Sequence, residues 1–375
     1  MHLKRFDTEA MTSVLQGWVA RESPTLDPAA VNKMQDLVAA FFSVDCCRVE
    51  RLPGRDGLGD TLKITAGPNN GERPILVMSH VDTVHPLKTI ERDLPLRRDG
   101  DKLYGPGIYD MKGGAYLAAE AFRDVAAKAS SKRPLVFLFT PDEEIGSPTT
   151  RAIIEDEGRR AAFALVTEPA RDGGKIVTAR KGVGRFEVHV EGRPSHSGAR
   201  HQDGRSAIRE AAKQILTIEA LTDYARGVTT TVAQIHGGTA PNVIPQHCHF
   251  TVDLRVTSVA DGQYFERLLL DLKPNDHDVT LRIAGSMNRP PMSKSPAIQA
   301  LYDHAVGLAT ELGFALPESP MTGGGSDGNF TAAIGTPTLD GLGCDGEGAH
   351  TLHEHCLVSS LAPRAALMAR LLETL

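Results

Sequence analysis

The chain has 375 residues, a formal net charge of −6, 41% hydrophobic residues and 23% charged residues. Those proportions belong to a folded globular protein of about two or three domains and exclude a mainly disordered chain. The mild acidic balance argues against a nucleic-acid partner, which calls for a basic stripe.

The opening residues, Met1 to Asp7, lack the apolar segment of a secretory leader. No apolar run approaches the roughly 20 residues of a membrane helix, so no membrane contact and a cytoplasmic location are expected. The five cysteines (Cys46, Cys47, Cys248, Cys344, Cys356) are odd in number and lack zinc-finger spacing, which fits free thiols.

In the first half, apolar runs at 75–78, 135–139 and 163–166 read as strands buried on both faces, as in a parallel sheet covered by helices. Between the first two, Ala115, Ala118, Ala119, Phe122, Val125 and Ala126 recur at helical spacing. The pattern changes near residue 183. Residues 185–191 alternate, 205–221 read as a helix, 228–235 as a strand, 247–256 as a strictly alternating strand, 263–272 as a helix and 279–284 as a last strand. The order β-α-β-β-α-β is that of a ferredoxin-like unit with one sheet face uncovered. The expected architecture is α/β: a mixed, mostly parallel sheet flanked by helices over residues 1–181 and 289–375, with an α+β domain inserted at 182–288.

In open α/β sheets, ligands bind outside the carboxyl ends of strands. The three apolar strands are followed at once by His80 and Asp82, by Asp142, Glu143 and Glu144, and by Glu168. Asp110 lies in a glycine-rich loop before the helix, and His350 follows Gly348-Ala349. Two imidazoles and several carboxylates on one sheet edge suit zinc, with manganese or cobalt as other occupants. Each signal alone is weak. A His-x-Asp pair is usually a cap or surface pair, adjacent glutamates are usually a solvated turn, and Asp110 could cap the following helix. The inference rests on their shared position at strand ends.

The motifs resemble the co-catalytic zinc amidohydrolases and metallopeptidases, the family of glutamate carboxypeptidase, aminoacylase, acetylornithine deacetylase and succinyl-diaminopimelate desuccinylase. The stretches that carry the resemblance are Ser79-His-Val-Asp82, Gly107-Ile-Tyr-Asp110-Met-Lys-Gly-Gly, Pro141-Asp-Glu-Glu144, Thr167-Glu-Pro, Pro194-Ser-His196-Ser-Gly, Pro241-Asn242-Val-Ile-Pro, Gly323-Gly-Gly-Ser-Asp327 and Gly348-Ala-His350-Thr. They follow family order over nearly the whole chain, and the likeness runs most strongly to bacterial glutamate carboxypeptidases. Met111 stands where some members carry a second Asp.

The resemblance implies a zinc-aminopeptidase-like fold whose inserted domain is a lid and dimerisation domain, and a cis bond at Asp110–Met111. It implies two divalent metal ions bridged by Asp110, one completed by His80 and Glu168, the other by Glu144 and His350. Asp82 would accept a hydrogen bond from His80, and Glu143 would be the general base. His196 would stabilise the oxyanion from across a dimer interface. Asn242 and Arg289 would hold a substrate carboxylate, an arginine's planar fork suiting that task, with Gly324 and Gly325 letting backbone approach the substrate. The bland alternative for Arg289 is a linker residue before Pro290-Pro291. His353 and His355 are read as exposed residues at a helix start; His201, His247, His249 and His304 as satisfied or solvent-facing.

The implied activity is hydrolysis of an amide bond next to a free carboxylate, in a peptide or an N-acyl amino acid. Deacylation or dipeptide cleavage is the sibling alternative. An inactive metal-binding homologue is disfavoured because Glu143 is present.

Overall fold

The computed structural model describes residues 5–375; the first four residues of the stretch read for a leader lie outside them. The chain divides into two compact units. The first comprises Met1–Ala179, Lys294–Thr322 and Ser326–Leu375, the second Arg180–Ser293 and Gly323–Gly325.

The first unit is built on a six-stranded sheet in the order Arg48–Leu52, Thr61–Ala66, Leu135–Thr140, Ile75–His80, Phe163–Val166, Thr338–Leu339. The last four strands are parallel and the first two pair antiparallel. The three apolar runs are its central strands, and their continuous hydrophobicity has a direct cause. Ile75, Val77, Phe137 and Phe139 enter one core, whereas Leu76, Met78, Val136 and Leu138 enter another on the opposite face. The helices Thr8–Val19, Gly113–Ala127, Pro296–Leu312 and Val358–Thr374 close the first core. Arg151–Arg160 and Gly328–Ala333 supply Ile154 and Phe330 to the second. Phe122, on the predicted helix, is wholly buried and meets Phe42 edge-on at 5.8 Å; truncating such a ring typically costs ~3–5 kcal/mol.

Two details of this unit position the residues singled out above. In the parallel ladder His80 is in register with Thr140, and Met78 with Val166. His80, the turn after Thr140 and Glu168 therefore leave the sheet at one edge. At the start of the Gly113–Ala127 helix, a Cβ on Gly114 would lie 1.9 Å from the Thr167 carbonyl oxygen. Only glycine lets this helix approach the strand end that carries Glu168.

The second unit is a four-stranded antiparallel sheet in the order Thr229–Gly237, His247–Val256, Gly182–Glu191, Thr280–Arg289. With the helices Ala207–Glu219 and Val259–Leu270 it follows the ferredoxin-like order β-α-β-β-α-β. One face is buried through Phe186, Val188, Val190, Phe250, Val252 and Leu254 against Ala211, Ile218, Phe265 and Leu269. The intervening side chains occupy the other face, which explains the period-2 alternation. Most boundaries shift by a few residues from the sequence reading, and two of the larger shifts concern the second helix and the last strand. The second helix starts at Val259 rather than 263, because the Ser258 hydroxyl accepts the Asp261 N–H and caps it. The last strand runs on to Arg289, which pairs with Val183.

All five cysteines are free. Among the described residues no helix is long and apolar enough to cross a membrane.

Candidate metal centre

His80 is buried at the end of its strand. Its Nδ1 lies 2.9 Å from the backbone carbonyl oxygen of Asp82. Donation there leaves Nε2 as the nitrogen able to bind a cation. Nε2 is 3.2 Å from Asp110 Oδ1 and 3.8 Å from Glu168 Oε1. The Asp82 carboxylate, expected to take this hydrogen bond, is the more distant acceptor: its Oδ1 is 3.5 Å from Nδ1, close enough for its charge to favour the protonated imidazole. That carboxylate also accepts the Glu143 N–H on Oδ1 and the Glu144 N–H on Oδ2, each at 3.2 Å, and the Thr25 hydroxyl at 2.8 Å. Asp82 thus ties His80 to the turn Glu143–Ile145. The far side of that turn is held by Asp142, whose carboxylate accepts from Thr149 and Thr150.

The loop carrying Asp110 contains a cis peptide bond at Asp110–Met111. Its backbone donors converge on Glu354, a carboxylate 1% exposed. Glu354 Oε1 accepts the N–H groups of Tyr109 and Asp110, each at 2.9 Å; Oε2 accepts the Gly107 N–H at 2.9 Å and faces His85 Nε2 at 2.8 Å. With the loop so held, the two oxygens of Asp110 diverge. Oδ1 faces His80, and Oδ2 lies 3.4 Å from His350 Nε2, which is itself 3.1 Å from Glu144 Oε2. Two sets of ligand atoms result, each within 4.8 Å of one another: His80, Asp110 and Glu168; Asp110, Glu144 and His350.

The electrostatics suit cations. Burial disfavours charge on Asp110, yet its contacts with His350 and His80 outweigh burial and hold its pKa well below the usual carboxylate range. Asp110 and Glu144 push the His350 imidazole up to about 11. Burial raises Glu144, against the opposing contact with His350. Glu144 Oε1 is buried with no hydrogen-bond partner. Such an orphaned carboxylate oxygen is costly unless something positive meets it. The donor set of imidazole and carboxylate, with this bare oxygen, fits divalent metal ions.

The other sequence candidates lie as follows. His353 is exposed in a turn, but His355 is buried in the short strand His355–Leu357, with its ring 5.1 Å from that of Tyr104; the helix begins only at Val358. The reading of His355 as an exposed helix-start residue is corrected: the pairing His355↔Tyr104 places it inside a small sheet. His201 and His247 are exposed, His249 meets Glu187, and His304 Nε2 lies 2.8 Å from the Thr374 hydroxyl. In the second unit, His196 Nδ1 accepts the N–H groups of Gly198 and Ala199 at 3.2 and 3.1 Å, so the neutral ring carries its proton on Nε2. The Ser197 N–H donates to the Asn242 carbonyl, and His196 bridges to Val243, which brings His196 and Asn242 onto neighbouring segments. Arg289 is 3% exposed at a strand end and is not a linker residue. The carbonyls of Gly323 and Gly324 accept from Arg255 and Arg180, and a Cβ on Gly325 would stand 2.7 Å from Arg289 Cδ. Glu354, which follows His350 by four residues as the resembled family has it, distinguishes His350 from His353 and His355 in the sequence, but its hold on the Asp110 loop is not legible there, and no local signal marks His85.

The model of peptidase family M20/M25/M40 matches residues 76–374. Carboxypeptidase G2 of a Pseudomonas species is 30% identical over 312 residues, covering 80% of this chain and 74% of that protein. A succinyl-diaminopimelate desuccinylase of Burkholderia multivorans is 28% identical over 98% of this chain and 99% of its own length. Among solved structures, aminopeptidase PepT of Bacillus cereus superposes with a TM-score of 0.76 at 22% identity, covering 98% of each chain. The metallo-carboxypeptidase Sso-CP2 of Sulfolobus solfataricus does so with 0.76 at 15% identity, over 97% of this chain and 98% of its own. These last two likenesses show the shared fold.

Proposed function

The chain belongs to peptidase family M20/M25/M40 and is a metal-dependent hydrolase of peptide or amide bonds; on that premise we propose that it is a dinuclear zinc exopeptidase releasing a C-terminal residue that bears a free carboxylate. The observation that carries this reading is the divided carboxylate of Asp110, one oxygen toward His80 and Glu168, the other toward His350 and Glu144. His80, Asp110 and Glu168 would hold one ion, and Asp110, Glu144 and His350 the second, with cobalt or manganese as the other metals the donor set accepts. When bound, such a pair supplies Lewis-acid polarisation and lowers the pKa of a water toward about 7.

The chain's own groups do the rest. Glu143, its N–H fixed by Asp82 next to Glu144, takes the proton of the attacking water and returns it to the leaving nitrogen. His196 offers an Nε2–H to the developing oxyanion, a contribution worth about 3 kcal/mol where such donors are preorganised. Asn242 and Arg289 bind the substrate carboxylate, and the glycine loop Gly323–Gly325 abuts the Arg289 stem so that the guanidinium is held in place. A homodimer through the second unit fits the edge position of the strand Thr229–Gly237, on which Ile235 is half exposed.

The experiment is a substrate panel. C-terminal glutamyl peptides should be turned over faster than acetyl- and succinyl-amino acids and dipeptides. The Burkholderia multivorans desuccinylase, which aligns with 98% of the chain, keeps deacylation as the second reading. Preference for a succinyl-amino acid would establish that reading instead.

A further inference from the structure

The uncovered face of the second unit's sheet holds a cluster that the hydrolytic chemistry does not use. The strand pairings place His236 opposite His249, His249 opposite His189, and His189 opposite Arg282. Three imidazoles therefore form one row across three adjacent strands. Four of the chain's fourteen histidines, His189, His236, His247 and His249, line a groove of about 680 Å³ on this face.

Strand geometry explains why side chains converge here. Directly opposed residues of an antiparallel pair have Cβ atoms about 4.5–5.5 Å apart, and a diagonal neighbour is still within reach of a long side chain. His189 and His249 are directly opposed, with rings stacked at 4.5 Å and 24°. Glu187, two residues before His189, lies on the diagonal to His249, and its Oε2 is in close contact with His249 Nε2. One ligand atom from each of Glu187, His189 and His249 falls within 4.8 Å of the others.

We propose that Glu187, His189 and His249 form a second-unit binding site for a divalent transition-metal ion of the zinc class. Two imidazoles and one carboxylate on rigid neighbouring strands are the donor types zinc selects, with a fourth position left to water. Magnesium and calcium are disfavoured because the set offers one carboxylate and no carbonyl ligand. An anion drawn by Arg282 is disfavoured because Glu187 stands inside the cluster. The partly exposed side chains, 35% for His249 and 52% for Glu187, leave an entry path from solvent. Bound here, the ion clamps the two central strands of the sheet together.

The test counts zinc by equilibrium dialysis of the full chain against buffered zinc chloride. Asp110→Asn is present in every sample, so any ion left at the first unit's centre cancels in the comparison. Asp110→Asn alone should bind one more zinc per chain than the variant that also carries His189→Ala and His249→Ala. Adding Glu187→Gln instead should raise the dissociation constant by at least about tenfold, the floor set by changes in outer-shell partners. Circular dichroism and thermal melts of the metal-free variants should match, since the exposed substitutions leave the core intact. Equal zinc content with and without the two histidines would overturn the site, as would zinc-independent binding of inorganic phosphate lost in the same variant.

Discussion

Glu354→Gln tests whether the Asp110 loop is held by one buried carboxylate. Four donors converge on it, and an amide has only one oxygen. If the amide oxygen replaces Oε1, it still accepts from Tyr109 and Asp110. The NH2 group then faces His85, whose ring can switch tautomer and accept, and the Gly107 N–H, which cannot. One orphaned buried donor costs about 1–3 kcal/mol, and the loss of charge assistance at the remaining bonds adds roughly 1. A destabilisation of about 2–4 kcal/mol is therefore expected. The reverse amide orientation would orphan both Tyr109 and Asp110 and is worse. Because the same bonds aim Asp110, metal affinity should also fall about 10–100-fold, as when an outer-shell partner is removed. Denaturant unfolding of the metal-free protein gives the first number, and chelator competition gives the second. If stability stays within about 0.5 kcal/mol, the range of neutral surface changes, and zinc affinity is unaltered, the loop is held by something else.

Three further outcomes are expected. Glu143→Ala should retain metal and lose nearly all turnover, measured by metal analysis beside a steady-state assay; loss of metal would make Glu143 a ligand. Gly325→Ala inserts a methyl group 2.7 Å from Arg289 Cδ, so KM should rise with kcat little changed; an unchanged KM would remove Arg289 from substrate binding. Glu210 has a depressed pKa: burial raises it, but hydrogen bonds from Asn275 and Gln214 outweigh burial. Its stabilisation is therefore present above its unfolded pKa and fades as pH falls through the folded value. Glu210→Gln should cost about 1–2 kcal/mol at pH 7 and much less near pH 3; an equal loss at both would contradict this sign.

The central strands were legible because burial on both sheet faces leaves an unbroken apolar run, and the second unit because one uncovered face leaves alternation. Strand ends drew attention to His80, Glu144 and Glu168. What escaped depends on contacts remote in sequence. That Nδ1 of His80 meets the Asp82 carbonyl rather than its carboxylate is a matter of side-chain rotation. Glu354 reaches back some 245 residues to the Asp110 loop, which no local pattern encodes. His355 reads as a helix start because the following residues are helical, and only its pairing with Tyr104 makes it a strand. Alternation puts His189 and His249 on the uncovered face, but their opposition is a property of register, which is set by the whole sheet.

The most direct test of the account is anomalous diffraction at the zinc edge from crystals grown with zinc. At the first unit's centre two peaks roughly 3.5–4 Å apart, one on each side of Asp110 and within bonding distance of the His80–Glu168 and Glu144–His350 pairs, are predicted, separate from the peak expected at Glu187, His189 and His249. A single peak at that centre, or two there that do not share Asp110, would contradict it.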